Sequence, residues 1–205
     1  MEIGRGFKDL LGFGVTDSAA KVFHEMLVLT VVIDRHCRGI TPIAEIVDLV
    51  DTRNAIQHSL MSLPTGDELD YGQITSVCLY EAIRHSAIIY SAAVIFPLPA
   101  STGIFGMAAT RLQHILDESK SNPCWQLCPD ALLWILVLGG VASFGTLERF
   151  WFVQNLTAVS ASLNLSLWEQ VLEKLDNYLW LDSACGSGGR LLWTEVMADR
   201  TLLGE

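Results

Sequence analysis

Basic residues are scarce in this sequence. It contains 13 lysines and arginines against 23 aspartates and glutamates, which gives a formal net charge of −10 over 205 residues. Proteins that bind duplex nucleic acid depend on Lys and Arg patches that release counterions from the phosphates. Because the sequence supplies no such patch, we expect no direct binding to nucleic acid.

Charged residues of either sign are also few. They make up 18% of the chain, whereas 51% of its residues are hydrophobic. This composition excludes a disordered chain and is sufficient to build a substantial core. We therefore expect residues 1–205 to form a single domain, part of whose surface is covered by a partner.

Apolar runs long enough to cross a membrane without interruption are missing. Residues 131–145 are nearly all apolar, but a spanning helix needs about 20 residues. Residues 86–110 carry no charge but are interrupted by Pro97, Pro99, Gly103 and Gly106, which would leave backbone groups unpaired in lipid. Both stretches predict buried helices, and we expect no membrane association.

Regular cysteine spacing is absent as well. The five cysteines follow no framework, and charged residues interrupt the start of the chain, so no secretory signal is seen. This predicts reduced thiols in the nucleus and/or cytoplasm. Cys124 and Cys128, even with His114, do not complete the four ligands of structural zinc, and we expect no metal or other cofactor.

What is present is a succession of helical segments without strand-like alternation or internal repeats. The chain therefore predicts an all-α, single-domain bundle or array of about seven to eight helices. Glycine and proline breaks place most of them at about residues 17–37, 42–63, 73–96, 104–119 and 129–144, with further helices from 146 and from 166.

Local capping chemistry predicts where several helices start. Asp17 or Ser18 is suited to cap the first helix, and Pro42 fits the first position of the second. Ser166 and Glu169 have the spacing of a capping box. Each of these residues satisfies or removes a backbone donor that a helix start leaves unpaired.

Two glycine clusters carry opposite predictions. Gly139 and Gly140 lie inside an apolar helix, where glycine costs stability relative to alanine, so we expect a neighbouring helix to pack closely there. Gly186, Gly188 and Gly189 instead predict a turn, followed by a last short helix that ends near residue 197.

Several blocks of sequence carry a resemblance to a known family. The blocks are residues 53–64, 80–84, 87–91, 96–99, 132–140, 148–152 and 180–185. In chain order, they resemble the helical regulatory region of fungal transcription factors of the binuclear zinc cluster class. The resemblance is clearest over residues 50–197.

The resemblance implies a regulatory and dimerisation domain rather than a DNA-binding one. The family reads DNA with a zinc cluster of six closely spaced cysteines, and that module is missing here. The implied partners are a second copy of the chain, a transcription-factor relative or a hydrophobic small molecule. Met1 favours an independent start, while a fragment of a longer DNA-binding protein remains the alternative.

A polar cluster in the third predicted helix is the main candidate site. Glu81, Arg84 and His85 stand at i, i+3 and i+4 and so share one side of the helix. His85 departs from the family, which generally has an apolar residue there. A carboxylate one turn away can orient and stabilise an imidazolium, as acid–base catalysis requires.

Two interpretations of this cluster stay open. It is either an ion-paired edge of a buried helix or the lining of a ligand cavity. In the second case the candidate ligand-binding residues are Tyr80, Glu81, Arg84, His85, Tyr90 and Trp134, and the candidate catalytic residues are Glu81 and His85.

We favour a non-enzymatic regulator over catalysis. The alternative is a scaffold of this family that binds a hydrophobic metabolite and catalyses an acid–base or pericyclic step in secondary metabolism.

For Arg149, the sequence favours an ion pair across a helix junction over anion binding.

Overall fold

Every regular element in the described part of the chain is helical, which confirms the all-α prediction. The computed structural model describes residues 4–40, 46–70, 72–99 and 102–203. Residues Gly66–Glu68 form a 3₁₀ turn and Ser91–Ile95 a π-helical turn. The α-helices are α1 (Arg5–Lys8), α2 (Asp17–Cys37), α3 (Ile46–Met61), α4 (Val77–Tyr90), α5 (Ile104–Glu118), α6 (Cys124–Leu127), α7 (Pro129–Ala142), α8 (Glu148–Ser162), α9 (Trp168–Leu175) and α10 (Asp182–Leu203).

Helix α7 is the centre of the fold. Residues 133–140 are all buried, because this helix is apolar around its whole circumference. It packs against α4, α5, α8, α9 and α10. The apolar stretch at residues 131–145, which is too short for a membrane-spanning helix, therefore contains the core helix of the domain. No helix among the described residues is long and apolar enough to cross a membrane.

Aromatic side chains join the N-terminal segment to this core. The ring of Phe7 in α1 contacts the ring of Trp134 edge-on at 5.4 Å. Tyr178, in the segment after α9, stacks on Trp134 at a centroid distance of 5.4 Å. Such contacts contribute beyond the apolar area that they bury, and they hold α1 against α7.

The two glycines in α7 pack as predicted. A Cβ atom at Gly139 would lie 2.3 Å from Cε1 of Phe152, and one at Gly140 would lie 2.5 Å from Cδ2 of Leu192. Helices α8 and α10 therefore approach the α7 backbone more closely than any side chain would allow. This contact explains why glycine is kept inside a buried helix despite its low helix propensity.

The turn predicted at Gly186, Gly188 and Gly189 is wrong. These residues lie inside α10, a continuous helix of 22 residues that begins at Asp182. A Cβ atom at Gly189 would lie 2.6 Å from a ring carbon of Trp168. Gly188, which faces Val141 of α7, and Gly189 therefore serve packing against neighbouring segments, and the predicted short last helix is replaced by a long one.

Several predicted helix starts shift by a few residues. The cap of α2 is Thr16, whose Oγ1 accepts a hydrogen bond from the backbone N–H of Ala19 at 3.1 Å, rather than Asp17 or Ser18. Helix α4 begins at Val77 instead of residue 73. The predicted start of the second helix at residues 41–42 lies outside the described residues.

The start of α9 uses a different partner from the one predicted. The backbone N–H groups of Ser166 and Leu167 donate to Oε1 of Gln170 at 2.8 and 3.0 Å. Gln170, rather than Glu169, is therefore the residue that satisfies these donors.

Arg149 forms the predicted ion pair across a helix junction. Its Nε and Nη2 atoms donate to the two carboxylate oxygens of Glu195 at 2.8 and 2.9 Å, and a further N–H donates to the carbonyl oxygen of Gly140. This bidentate pair joins the start of α8 to α10.

Candidate functional site

Glu81, Arg84 and His85 lie together on one edge of α4, as their spacing predicts. Nη2 of Arg84 donates to Oε2 of Glu81 at 3.0 Å, and Nε of Arg84 donates to Oε1 at 3.2 Å. The side chains of Arg84 and Glu81 are only 11% and 14% exposed. The two charges therefore neutralise one another in a largely desolvated place.

His85 is a neutral base rather than a stabilised cation. Its Nδ1 atom lies 2.9 Å from the carbonyl oxygen of Glu81 and 3.4 Å from the Glu81 carboxylate. Burial lowers the pKa of His85, and the charges of Arg84 and Arg111 lower it further, which outweighs the opposing effect of Glu81. The imidazolium expected from the sequence is therefore disfavoured.

Glu81 and Tyr80 also hold the segment before α4. The backbone N–H of Gly66 donates to Oε1 of Glu81 at 2.7 Å, and the Tyr80 hydroxyl donates to the carbonyl oxygen of Pro64 at 2.7 Å. A Cβ atom at Gly66 would lie 2.6 Å from Cγ1 of Val77. Hydrogen bonds with α4 thus hold residues 64–66, and the backbone of Gly66 packs directly against the start of α4.

Tyr90 and Trp134 do not join this cluster in the structure. The Tyr90 hydroxyl lies 2.9 Å from Oγ1 of Thr30 in α2, and Nε1 of Trp134 donates to the carbonyl oxygen of Leu179 at 2.8 Å. Both rings are fully buried. Their polar atoms thus have partners inside the protein, as buried donors require.

These contacts favour the ion-paired edge over the ligand-lining interpretation of the cluster. Both oxygens of Glu81 accept hydrogen bonds from groups within the chain. Catalysis by Glu81 would require it to give up its hydrogen bonds to Gly66 and to the largely buried Arg84. We therefore interpret the cluster as the attachment of residues 64–68 to α4.

An apolar cavity lies elsewhere, between α4, the π-helical turn, α5 and α7. It has a volume of about 500 Å³, within the range of small-molecule pockets. The helices α4, α7 and α10 contribute Ile89, Leu138 and Cys185 to its wall. The other lining residues are Ala93, Leu98, Gly103, Phe105, Gly106, Val141, Ala142, Phe144 and Thr146.

The cavity lining carries no ionised group. Burial raises the pKa of Cys185 to about 12, so this side chain is a neutral thiol at physiological pH. The hydroxyl of Thr146 already donates to the carbonyl oxygen of Ser143 at 3.0 Å. A charged ligand would lose its hydration here without gaining a counter-charge, so the lining favours an uncharged, apolar molecule.

Part of the cavity wall has an unusual backbone. The π-helical turn carries Ala93 in the lining, and the backbone N–H of Phe96 donates to the carbonyl oxygen of Ser91 at 2.7 Å. Single π-helical turns occur frequently at functional sites. This turn ends just before the proline-containing residues 97–99, which bring Leu98 into the lining.

Exposed apolar side chains surround this end of the domain. Oγ1 of Thr110 donates to Oε1 of Glu148 at 2.8 Å, which joins α5 to the start of α8. Large apolar side chains are exposed in and beside these two segments, among them Met107 at 74%, Phe144 at 67%, Leu147 at 95% and Phe150 at 64%. Apolar side chains grouped in this way mark association or ligand sites.

Two further cavities have charged or polar rims. One of about 590 Å³ lies between α2 and α3 and includes His24 and Glu25. Another, of about 460 Å³, lies between α2 and the segment before α10 and includes Asp34, Arg38 and Asp176. The cavity beside the π-helical turn differs from both because its lining carries no charged side chain.

The sequence did not predict this cavity, although the proline and glycine residues near it were recognised as helix breaks. Pro97, Pro99, Gly103 and Gly106 served to exclude a membrane span and to separate two predicted helices, and the same breaks open the space between α4 and α5. Which side chains line that space depends on how the helices pack.

No protein-family model, curated protein or solved structure matches this chain. The resemblance to fungal transcription factors therefore rests on the sequence blocks alone.

Proposed function

We propose that this chain is a regulatory domain of the fungal transcription factor type that binds an uncharged, apolar small molecule in the cavity beside the π-helical turn. The observation that carries the proposal is the charge-free lining of a cavity of about 500 Å³. Apolar cavities of this size, with few polar groups, are the usual sites of small-molecule recognition.

The proposed ligand is recognised mainly by shape and apolar area. The aromatic ring of Phe105 and the side chains of Ile89 and Leu138 offer dispersion contacts. Hydroxyl or carbonyl groups on the ligand have few partners in the lining beyond Thr146 and the Cys185 thiol. A flat or compact hydrocarbon-rich metabolite fits this chemistry.

A neutral environment-sensitive dye, Nile red, tests the ligand proposal. We expect saturable binding to the protein, with a blue-shifted emission. The variant Ala93→Phe places a ring in the cavity wall and should weaken binding at least about tenfold, which corresponds to about 1.4 kcal/mol. The matched control is Ala158→Phe, which changes an exposed alanine of α8.

The comparison of the two variants decides the site. Circular dichroism must show that Ala93→Phe remains folded. If it binds the dye as tightly as Ala158→Phe does, the cavity is not the binding site and the ligand proposal fails.

We further propose that the exposed apolar side chains around the cavity mediate association with a second copy of the chain. A twofold dimer needs only one such patch, because symmetry places the same side chains on both sides of the interface. Leu147, which is 95% exposed, would lie near the centre of this contact, where truncation usually costs most.

Light scattering at micromolar concentration tests association. We expect a dimer for the unmodified chain and a monomer for Leu147→Glu. The control Leu202→Glu changes a leucine that is 86% exposed at the end of α10 and should leave the dimer intact. A monomeric unmodified chain, or equal effects of both variants, would contradict the proposal.

In this proposal the chain acts in transcription regulation, in the nucleus and/or cytoplasm, by pairing with itself or with a transcription-factor relative. Its net charge of −10 supports a role without direct DNA contact. Specific binding of the isolated chain to promoter DNA at physiological salt would refute this part.

A further inference from the structure

Two cysteines that are far apart in sequence meet at the junction of α4 and α6. Sγ of Cys78 lies 3.7 Å from Sγ of Cys124, across a separation of 46 residues. We propose that Cys78 and Cys124 form an intramolecular disulfide bond when the chain meets a hydroperoxide. The spacing of Cys78 and Cys124 in the sequence did not predict that their thiols would be in contact.

The geometry allows the bond with a small displacement. Disulfide sulfurs are about 2.05 Å apart, so the two atoms need to approach by less than about 2 Å. Cys124 is the first residue of α6, a helix of four residues that follows the largely exposed residues 119–123. Cys124 itself is part of the buried core, together with Trp125, so the approach is made mainly by the partly exposed side chain of Cys78.

The two thiols differ in access. Cys78 is partly exposed in the first turn of α4, whereas Cys124 is 2% exposed. The hydroxyl oxygen of Ser76 lies 3.3 Å from Sγ of Cys78 and can donate to a thiolate there. Burial raises the pKa of Cys124 to about 11, so Cys78 is the thiol that reacts first with a soluble oxidant.

The reaction has two balanced steps. The Cys78 thiolate attacks one peroxide oxygen, the O–O bond breaks, and Cys78 sulfenic acid forms while the other oxygen leaves as water or an alcohol. The sulfur of Cys124 then attacks the Cys78 sulfur and the sulfenic oxygen leaves as water, carrying the Cys124 proton. Two thiols are oxidised and one hydroperoxide is reduced.

The bond would join α4 to the segment between α5 and α7. The closed loop of 46 residues includes the π-helical turn and α5. A cross-link of this length restricts the unfolded chain and raises the melting temperature, here on the order of 5–10 °C. This inference does not depend on the ligand proposal.

Treatment of the full chain with hydrogen peroxide tests the proposal. Remaining thiols are alkylated, the protein is digested, and peptides are identified by mass spectrometry. We expect a Cys78–Cys124 cross-link, a higher melting temperature, and reversal of both by dithiothreitol. The cross-link should persist in Cys37→Ser, which removes an exposed cysteine, and in Cys128→Ser.

Other products would overturn the proposal. Cys78→Ser should abolish both the cross-link and the thermal shift, and an unchanged shift would refute the assignment. Cross-linking of Cys124 to Cys128, or oxidation of Cys78 to sulfinic acid without any cross-link, would show that the 3.7 Å contact does not lead to a disulfide.

Discussion

The closest helix contact in the core gives the sharpest test of the fold. A methyl group added at Gly139 would lie 2.3 Å from Cε1 and 2.6 Å from Cζ of Phe152, and 2.9 Å from Cδ2 of Leu112. Phe152 and Leu112 are fully buried, so neither can turn towards solvent. In Gly139→Ala, α8 or α5 must therefore move away from α7.

Two opposing effects determine how much Gly139→Ala changes the free energy of unfolding. Alanine raises helix propensity by about 1 kcal/mol over glycine, whereas overpacking of a core costs about 1–3 kcal/mol and sometimes more. Because three buried atoms clash, we expect overpacking to win. The free energy of unfolding should fall by about 1–2 kcal/mol, which lowers the melting temperature by about 2–8 °C.

Urea and thermal unfolding, followed by circular dichroism, measure this loss. Gly106→Ala is the control, because a Cβ atom there meets only Cγ2 of Thr146 at 3.3 Å; it should be neutral or stabilising by up to about 1 kcal/mol. Phe152→Leu should relieve part of the Gly139→Ala loss in the double variant. If Gly139→Ala is as stable as the unmodified chain, the described contact between α7 and α8 is wrong.

The polar edge of α4 gives two further predictions. Glu81→Gln removes the charge that faces Arg84 and should lower the free energy of unfolding, measured in urea, by about 1–3 kcal/mol. The control Glu118→Gln, at an exposed position, should change the free energy of unfolding by no more than about 0.5 kcal/mol. Equal effects of the two variants would refute the structural role of Glu81. Because the folded pKa of His85 lies below its ordinary 6.5, the unfolded chain binds the proton more readily, and stability falls as the pH drops below 6.5. Thermal melts between pH 7 and 5 should therefore decline less steeply in His85→Gln, and parallel profiles would contradict the burial of His85.

Hydrophobic periodicity and helix breakers were sufficient for much of the fold. They predicted α5 and α7 within two residues, because proline and glycine breaks flank apolar segments there. The spacing of Glu81, Arg84 and His85 likewise placed these residues on one edge of α4, since residues three and four apart share a helix face.

The same signals failed at Gly188 and Gly189. Glycine is ambiguous in a sequence, because it serves both turns and close helix packing. In α10 the second use applies, since the ring of Trp168 occupies the place of a Cβ atom at Gly189. Trp168 lies 21 residues before Gly189 in the sequence, so local sequence patterns cannot predict this contact.

The sequence by itself determined an acidic chain, its all-α class and a buried apolar helix at residues 131–145, because these properties follow from composition and from local periodicity. Only the tertiary structure decided that Glu81 accepts a hydrogen bond from Gly66, that a charge-free cavity opens beside the π-helical turn, and that Cys78 meets Cys124. Each of these depends on contacts between segments distant along the chain, and such contacts are set by the packing of whole helices rather than by any local stretch of residues.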